Sequence, residues 1–150
     1  MPAHAVYWFY IKRKGESGKV KAHTRITENW ELFIESIIDK KSKVFALRII
    51  KLYKQLKEVD KEFVLSKQIL RSGTSIGANA RERKNSQSKA DFINKLSIAL
   101  KEADETQYWL ELLYESEIIN ENIFCSLNND LKEIIAIITS SIKTAKQNKQ

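Results

Sequence analysis

DFINKLSIALKEADETQYWLELL, residues 91–113, is the stretch whose reading decides the fold. Phe92, Leu96, Ala99, Ala103, Thr106, Leu110 and Leu113 alternate spacings of four and three without a miss. That is the seam a helix presents to the core of an antiparallel bundle. Ser88 followed by Asp91 resembles a capping box with Asp in the Glu position, which sets the start of the helix. Ile98, Tyr108, Trp109 and Leu112 fall on the opposite side. Two aromatics and two aliphatics on a nominal outer face make it the chain's best candidate for an oligomer interface.

Working outward, LSKQILRSGTSIGANARERK belongs to a helix expected from near Lys61 to about Lys84. Leu65, Ile69, Ser72, Ile76 and Asn79 share one face, and the small residues Ser66, Gly73, Gly77 and Ala80 lie beside it. A glycine within a helix costs about 1 kcal/mol against alanine, so two of them one turn apart predict close approach of a neighbouring backbone. Residues 43–59 predict the first helix, with Phe45, Ile49, Leu52, Leu56 and Val59 inward. Lys51, Lys54, Lys57 and Lys61 point the other way, in company with the apolar Leu47 and Ile50. The fourth helix follows Asn120, a plausible N-cap, and turns Leu127, Leu131, Ile134, Ile138 and Ile142 inward. The expected fold is all-α: an antiparallel up-down-up-down four-helix bundle over residues 43–150.

Composition agrees. Four glycines and one proline in 150 residues leave little room for the turns of a many-stranded protein. No stretch approaches the roughly 20 apolar residues of a membrane span. The apolar run at residues 6–11 is too short for a signal-peptide core, and its basic cluster Lys12, Arg13, Lys14 follows rather than precedes it. Cys125 is the only cysteine. The expectation is a cytoplasmic protein, with Cys125 a buried small residue. Residues 1–42 stand apart as an N-terminal extension. A hairpin from residues 6–11 and 20–26, a short lead-in helix at residues 29–39, and a poorly ordered segment all remain open.

The net charge of +7 is unevenly placed. Residues 43–89 hold 12 Lys/Arg against 4 Asp/Glu, while residues 91–150 hold 6 against 10. Such asymmetry suits a nucleic-acid face, and equally suits head-to-tail packing of identical subunits.

The runs at residues 65–82 and 91–113, with FALRIIKLYKQL at residues 45–56, closely resemble the bacterial four helix bundle proteins, also called the 23S ribosomal RNA intervening-sequence protein family. The resemblance covers about residues 43–146. It implies an antiparallel four-helix bundle assembling as a homopentamer. It also implies a distant likeness to the accessory proteins of diversity-generating retroelements, basic barrels that work with a reverse transcriptase and its RNA. A reverse transcriptase or another protein is thus an implied partner. Two departures stand out: residues 1–42 lie outside the pattern, and Arg83 stands where the family commonly has a small residue.

Catalysis finds little support in the residues. The only histidines are His4 and His23, both in the extension, so the expected helices lack the Glu-x-x-His of di-iron bundles and the His-Glu-x-x-His of zinc proteases. Neither a metal site, a cofactor nor an enzymatic activity is expected. Glu102, Asp104 and Glu105 read as a solvated face or subunit salt bridges. Ser72 and Asn79 need partners if buried, and Thr106, Gln107 and Glu105 are placed to provide them. The tight-packing set is therefore Ser72, Gly73, Gly77, Asn79 and Thr106.

The basic set is Lys51, Lys54, Lys57 and Lys61 with Lys67, Arg71, Arg81, Arg83 and Lys84. One reading makes it a phosphate-binding face, repeated around a ring and strengthened by avidity, with RNA favoured over DNA. The other makes the chain a protein–protein adaptor in which Leu47, Ile50, Ile98, Tyr108, Trp109 and Leu112 join subunits and the opposite charges guide them. Tyr7, Trp8, Phe9 and Tyr10 beside the basic cluster have the ingredients of a base-stacking platform.

Overall fold

The computed structural model describes the backbone of residues 21–147 and the side chains of residues 32–147. Four α-helices, α1 (Lys21–Glu58), α2 (Leu65–Glu82), α3 (Lys89–Glu115) and α4 (Glu121–Gln147), account for almost all of it, with a 3-10 turn at Arg83–Asn85. There is no strand among the described residues. The chain divides into two compact units, Met1–Phe33 and Ile34–Gln150. The described part of the first is helical. The second holds the core and every surface considered below.

α1 begins well before residue 43. Ile38 and Ser42 are buried, and Ile34 packs against the core, so the register that runs through Phe45 and Ile49 reaches back through residues 38 and 42. The boundary between residues 42 and 43 therefore falls within a helix that already contributes to the core. Residues 21–26 are helical, which removes the second strand of the hairpin. Residues 29–39, expected as a separate lead-in helix, are part of α1. The first strand and the aromatic run at residues 7–10 lie outside the described residues. At its other end α1 stops at Glu58. Val59, expected inward, is 72% exposed.

Lys61 has φ 54°, which excludes it from a helix and delays α2 to Leu65. Glu62 then organises the start of α2. Its carboxylate accepts from the backbone N–H groups of Val64 (2.9 Å), Leu65 (2.8 Å) and Ser66 (2.6 Å), satisfying donors that a helix leaves unpaired at its N-terminus. Burial works against that charge. The three backbone hydrogen bonds outweigh it and hold the carboxyl below its ordinary range. α3 opens on Ser88, whose Oγ accepts from Asp91 N at 3.1 Å, while Asp91 accepts from Gln87 N at 3.3 Å. At α4 the Asn120 side chain accepts from Ile123 N at 3.0 Å. Between α3 and α4, Glu117 has φ 61° and Ile119 turns into the core.

The core is one cluster fed by all four helices, with Ile49, Leu56, Ile69, Ile76, Leu96, Leu110, Leu113, Leu131 and Ile138 fully buried. α1 meets α2 at Gly73 and Gly77. A Cβ on Gly73 would lie 2.9 Å from Ile49 Cγ1 and 3.0 Å from Cγ2, and one on Gly77 would lie 3.3 Å from Ser42 Oγ. The glycines thus let α1 close on α2, which offsets their helix-propensity cost. α1 meets α4 through Arg48, which bonds Ser126 Oγ at 2.7 Å and pairs with Asp130, and through Lys41 and Glu133 at 2.9 Å. α3 meets α2 at Ser72 and Thr106, and meets α4 where the Tyr114 and Phe124 rings stack at 4.6 Å.

The two glycines are expected to respond differently to alanine. Ile49 is β-branched, fully buried and cannot withdraw, so Gly73→Ala should lose about 1–2 kcal/mol of stability, overpacking outweighing the helix-propensity gain. Gly77→Ala meets a small hydroxyl side chain and should stay within about 1 kcal/mol of the parent. Denaturant unfolding of both variants checks this. Equal effects would remove the close contact at Gly73 as the reason for its glycine.

Candidate interaction surfaces

The nine basic residues singled out in the sequence do not form one class. Lys51, Lys54, Lys57, Lys61, Lys67, Arg71 and Arg81 are exposed. Among the described residues none of these seven enters an ion pair; Lys57 lies 6.0 Å over the Tyr53 ring. On α2, Lys67, Arg71, Thr74, Ala78 and Arg81 repeat at helical spacing along the side away from the buried Ile69, Ser72 and Ile76.

Arg83 departs from expectation. Its side chain is 0% exposed, which withdraws it from any phosphate-binding face. Nη1 donates to Asp39 Oδ1 at 2.8 Å and to the carbonyl of Ala80, and Nη2 donates to the carbonyl of Glu35 at 2.7 Å. A guanidinium is well suited to this position, because its fork reaches a carboxylate and two carbonyls at once. Lys84 remains half exposed but pairs with the other oxygen of Asp39. Burial opposes the charge on Asp39. The hydrogen bonds from Lys84 and Arg83, reinforced by their charge, prevail and hold its carboxyl below the ordinary range. Sequence reasoning missed Asp39 and Glu35 because they lie 44 and 48 residues from Arg83.

The small and polar set also separates. Thr106 Oγ1 hydrogen-bonds Ser72 Oγ at 2.9 Å and the carbonyl of Glu102 at 2.7 Å, in the buried layer between α2 and α3. Asn79 is only half buried and donates to the carbonyl of Ser75 in its own helix at 2.9 Å. It bonds within α2 rather than across the seam, because its position is at the edge of the inward face.

The apolar candidates are graded. Leu47 is 58% and Tyr108 is 54% exposed, and Val44, which the sequence reading passed over, is 49% exposed. Ile50, Ile98 and Leu112 are half buried. Trp109 packs against the core, donates from Nε1 to Glu105 at 3.1 Å and tilts against Tyr108. It is less an outer residue than its position in the sequence suggested. Cys125, expected to be buried, is exposed on α4, two positions before the inward Leu127. Among the described residues no three His, Cys, Asp or Glu side chains converge as metal ligands would, and no helix is long and apolar enough to cross a membrane.

Among the described residues, fold and surface define an all-helical bundle with one core and segregated surface charge. The family model of the 23S rRNA-intervening sequence protein matches residues 35–140, and the chain belongs to that family. A solved structure from Bacteroides thetaiotaomicron, described as a protein of unknown function from the S23 ribosomal protein family, is 58% identical. The match covers 73% of this chain and 98% of that one, with a TM-score of 0.73. No protein of curated function matches. The family match starts at Glu35, the residue whose carbonyl receives Arg83.

The Arg83–Asp39 joint predicts an asymmetry between its partners. Asp39→Asn leaves a buried guanidinium without its carboxylate and should cost about 3–5 kcal/mol. Arg83→Met leaves Asp39 partly exposed and still paired with Lys84, and should cost less. Asp39 and Glu62 both have lowered carboxyl pKa values, so each releases its proton more readily in the folded chain. The stability they contribute is complete above the ordinary carboxylate range, about pH 4, and is lost as pH falls through their folded values. Thermal melts from pH 6 down to 3 should show this loss, and a smaller one in Asp39→Asn. Identical pH profiles for the two chains would contradict the assignment.

Proposed function

We propose that the chain is a non-catalytic, cytoplasmic scaffold that assembles with copies of itself and gathers nucleic acid, RNA in the first instance, on the basic surface of α1 and α2. In this reading the bundle is antiparallel, up-down-up-down. Ile49, Ser42 and Asp39 meet Gly73, Gly77 and Arg83, and Ser72 and Glu82 meet Thr106 and Lys95. Both series run in opposite directions along their helices, which supports it. The assembly is taken as a homopentamer on family resemblance. The observation that carries the nucleic-acid reading is a set of seven exposed cations, six on the adjoining α1 and α2 and Lys61 on the link between them, none paired with a carboxylate among the described residues. A polyanion releases counterions on meeting such a surface, and that release drives binding. The family's association with an insertion in ribosomal RNA favours RNA as the polyanion.

A second reading, a protein–protein adaptor whose charge asymmetry serves subunit packing, is favoured by the exposure of Leu47 and Tyr108. Native mass measured with and without a single-stranded RNA oligonucleotide across a salt series separates the two. The first reading expects an assembly of several chains that binds RNA. If about five phosphates are engaged, affinity should fall roughly 100-fold between about 50 and 200 mM salt. An assembly that loosens as salt rises and ignores RNA at low salt would leave the adaptor alone standing.

A further inference from the structure

The exposed surface of α1 is not uniformly basic. Val44, Leu47, Lys51 and Lys54 follow one another at spacings of three, four and three, so they form one outward stripe, with Lys43 beside Val44. Its centre is apolar, Val44 and Leu47 being about half exposed, and lysines lie at both ends. The stripe on α2 is different: Lys67, Arg71 and Arg81 are separated by Thr74 and Ala78, with no large apolar side chain among them. Phosphate does not call for exposed valine and leucine, whereas a helix with an apolar centre and acidic ends does.

The chain itself carries such a helix. On α3, Asp104, Tyr108, Glu111 and Glu115 repeat at spacings of four, three and four. Tyr108 is exposed at the centre with the Trp109 ring tilted against it, and carboxylates lie on either side. With Leu47 set against Tyr108, Lys54 and Glu115 are each seven residues further along, about 10.5 Å. Lys51 then lies near the level of Glu111, and Lys43 near that of Asp104.

We propose that the α1 stripe around Leu47 docks on the α3 stripe around Tyr108 of a second copy of this chain, leaving the α2 stripe to nucleic acid. The inference rests on the self-assembly half of the function proposed above, and divides a basic surface that residue counts treat as one. The position of the two helices sets the form of the contact. α1 and α3 each pack on both α2 and α4, so they occupy opposite corners of the bundle. One copy therefore offers its basic side to one neighbour and its acidic side to another. Such a heterologous contact propagates from chain to chain and closes where the rotation allows.

The test is charge reversal and re-pairing in the full chain. Lys51→Glu with Lys54→Glu should reduce the native mass to that of one chain at micromolar concentration, with circular dichroism unchanged because all four exchanged groups lie outside the core. Glu111→Lys with Glu115→Lys should do the same. Mixing the two double variants should restore association between them, each supplying the side the other lacks. Lys67→Glu with Arg71→Glu should leave the mass intact and abolish binding of a single-stranded RNA oligonucleotide. A parent chain that is monomeric throughout would overturn the self-assembly reading, and this inference with it. A parent that assembles while Lys51→Glu/Lys54→Glu assembles equally well, or keeps its mass but loses RNA, would overturn only the division of the surface.

Discussion

The closeness of α1 and α2 at Gly73 is the constraint from which most of the structure follows. With Ile49 filling the space a Cβ would need, α2 cannot slide along α1 without placing a larger residue there. That single register puts Gly77 over Ser42, two small residues at the next level of contact. It also brings the end of α2 beside the early part of the described bundle, where Arg83 finds Asp39 and the carbonyl of Glu35. The same register fixes what remains outside. Once Ile69, Ser72 and Ile76 face inward, Lys67, Arg71 and Arg81 face away.

Arg83 shows how far a charge count can stray from a charged surface. A buried ion pair contributes little net stability, because both charges must first lose water, yet losing one partner is expensive. Arg83 is accommodated because the end of α2 offers its own carbonyl at Ala80, and α1 offers a carboxylate and another carbonyl. Its charge, and part of that of Lys84, is answered by Asp39 within the fold. Arg48 and Lys41 are answered by α4. Among the described residues of α1 and α2, the basic character available to a partner is therefore less than the charge count implies.

The seam of α3 was legible because its inward positions are apolar or small and its period is unbroken, and from Leu96 onward every position expected inward is buried. The start of α1 was not legible, although the same period is present. Ser42 occupies an inward position, and the neighbouring Asp39, Lys40 and Lys41 interrupt the apolar pattern. Only its location under Gly77, with its hydroxyl returned to the carbonyl of Ile38 at 2.7 Å, explains a serine there. Val59 was misplaced for a related reason: periodicity does not register a backbone reversal such as the positive φ of Lys61. Among the surface residues, helical phase predicted the exposure of the lysines well. It left open whether an exposed cation has an ion-pair partner, since that depends on which helix lies alongside.

Segregated charge has an energetic consequence for the chain alone. Lys51, Lys54 and Lys57 succeed one another at spacings of three on the exposed side of α1, with no carboxylate of the described residues within ion-pair distance. Like charges at that spacing destabilise a helix by roughly 0.2–0.5 kcal/mol per pair at low salt. On α3, Glu111 and Glu115 make one such pair, four residues apart. Inside one bundle the two sets cannot relieve each other, because α1 and α3 lie at opposite corners. Relief must come from outside the chain, and salt, a polyanion and an oppositely charged helix supply it in different ways. Salt screens both stripes alike, a polyanion compensates only the basic side, and a neighbouring copy answers the basic side of one chain with the acidic side of the next. Only the last also covers Leu47 and Tyr108, so exposed apolar side chains at the centres of both stripes weigh toward a protein neighbour at these two faces.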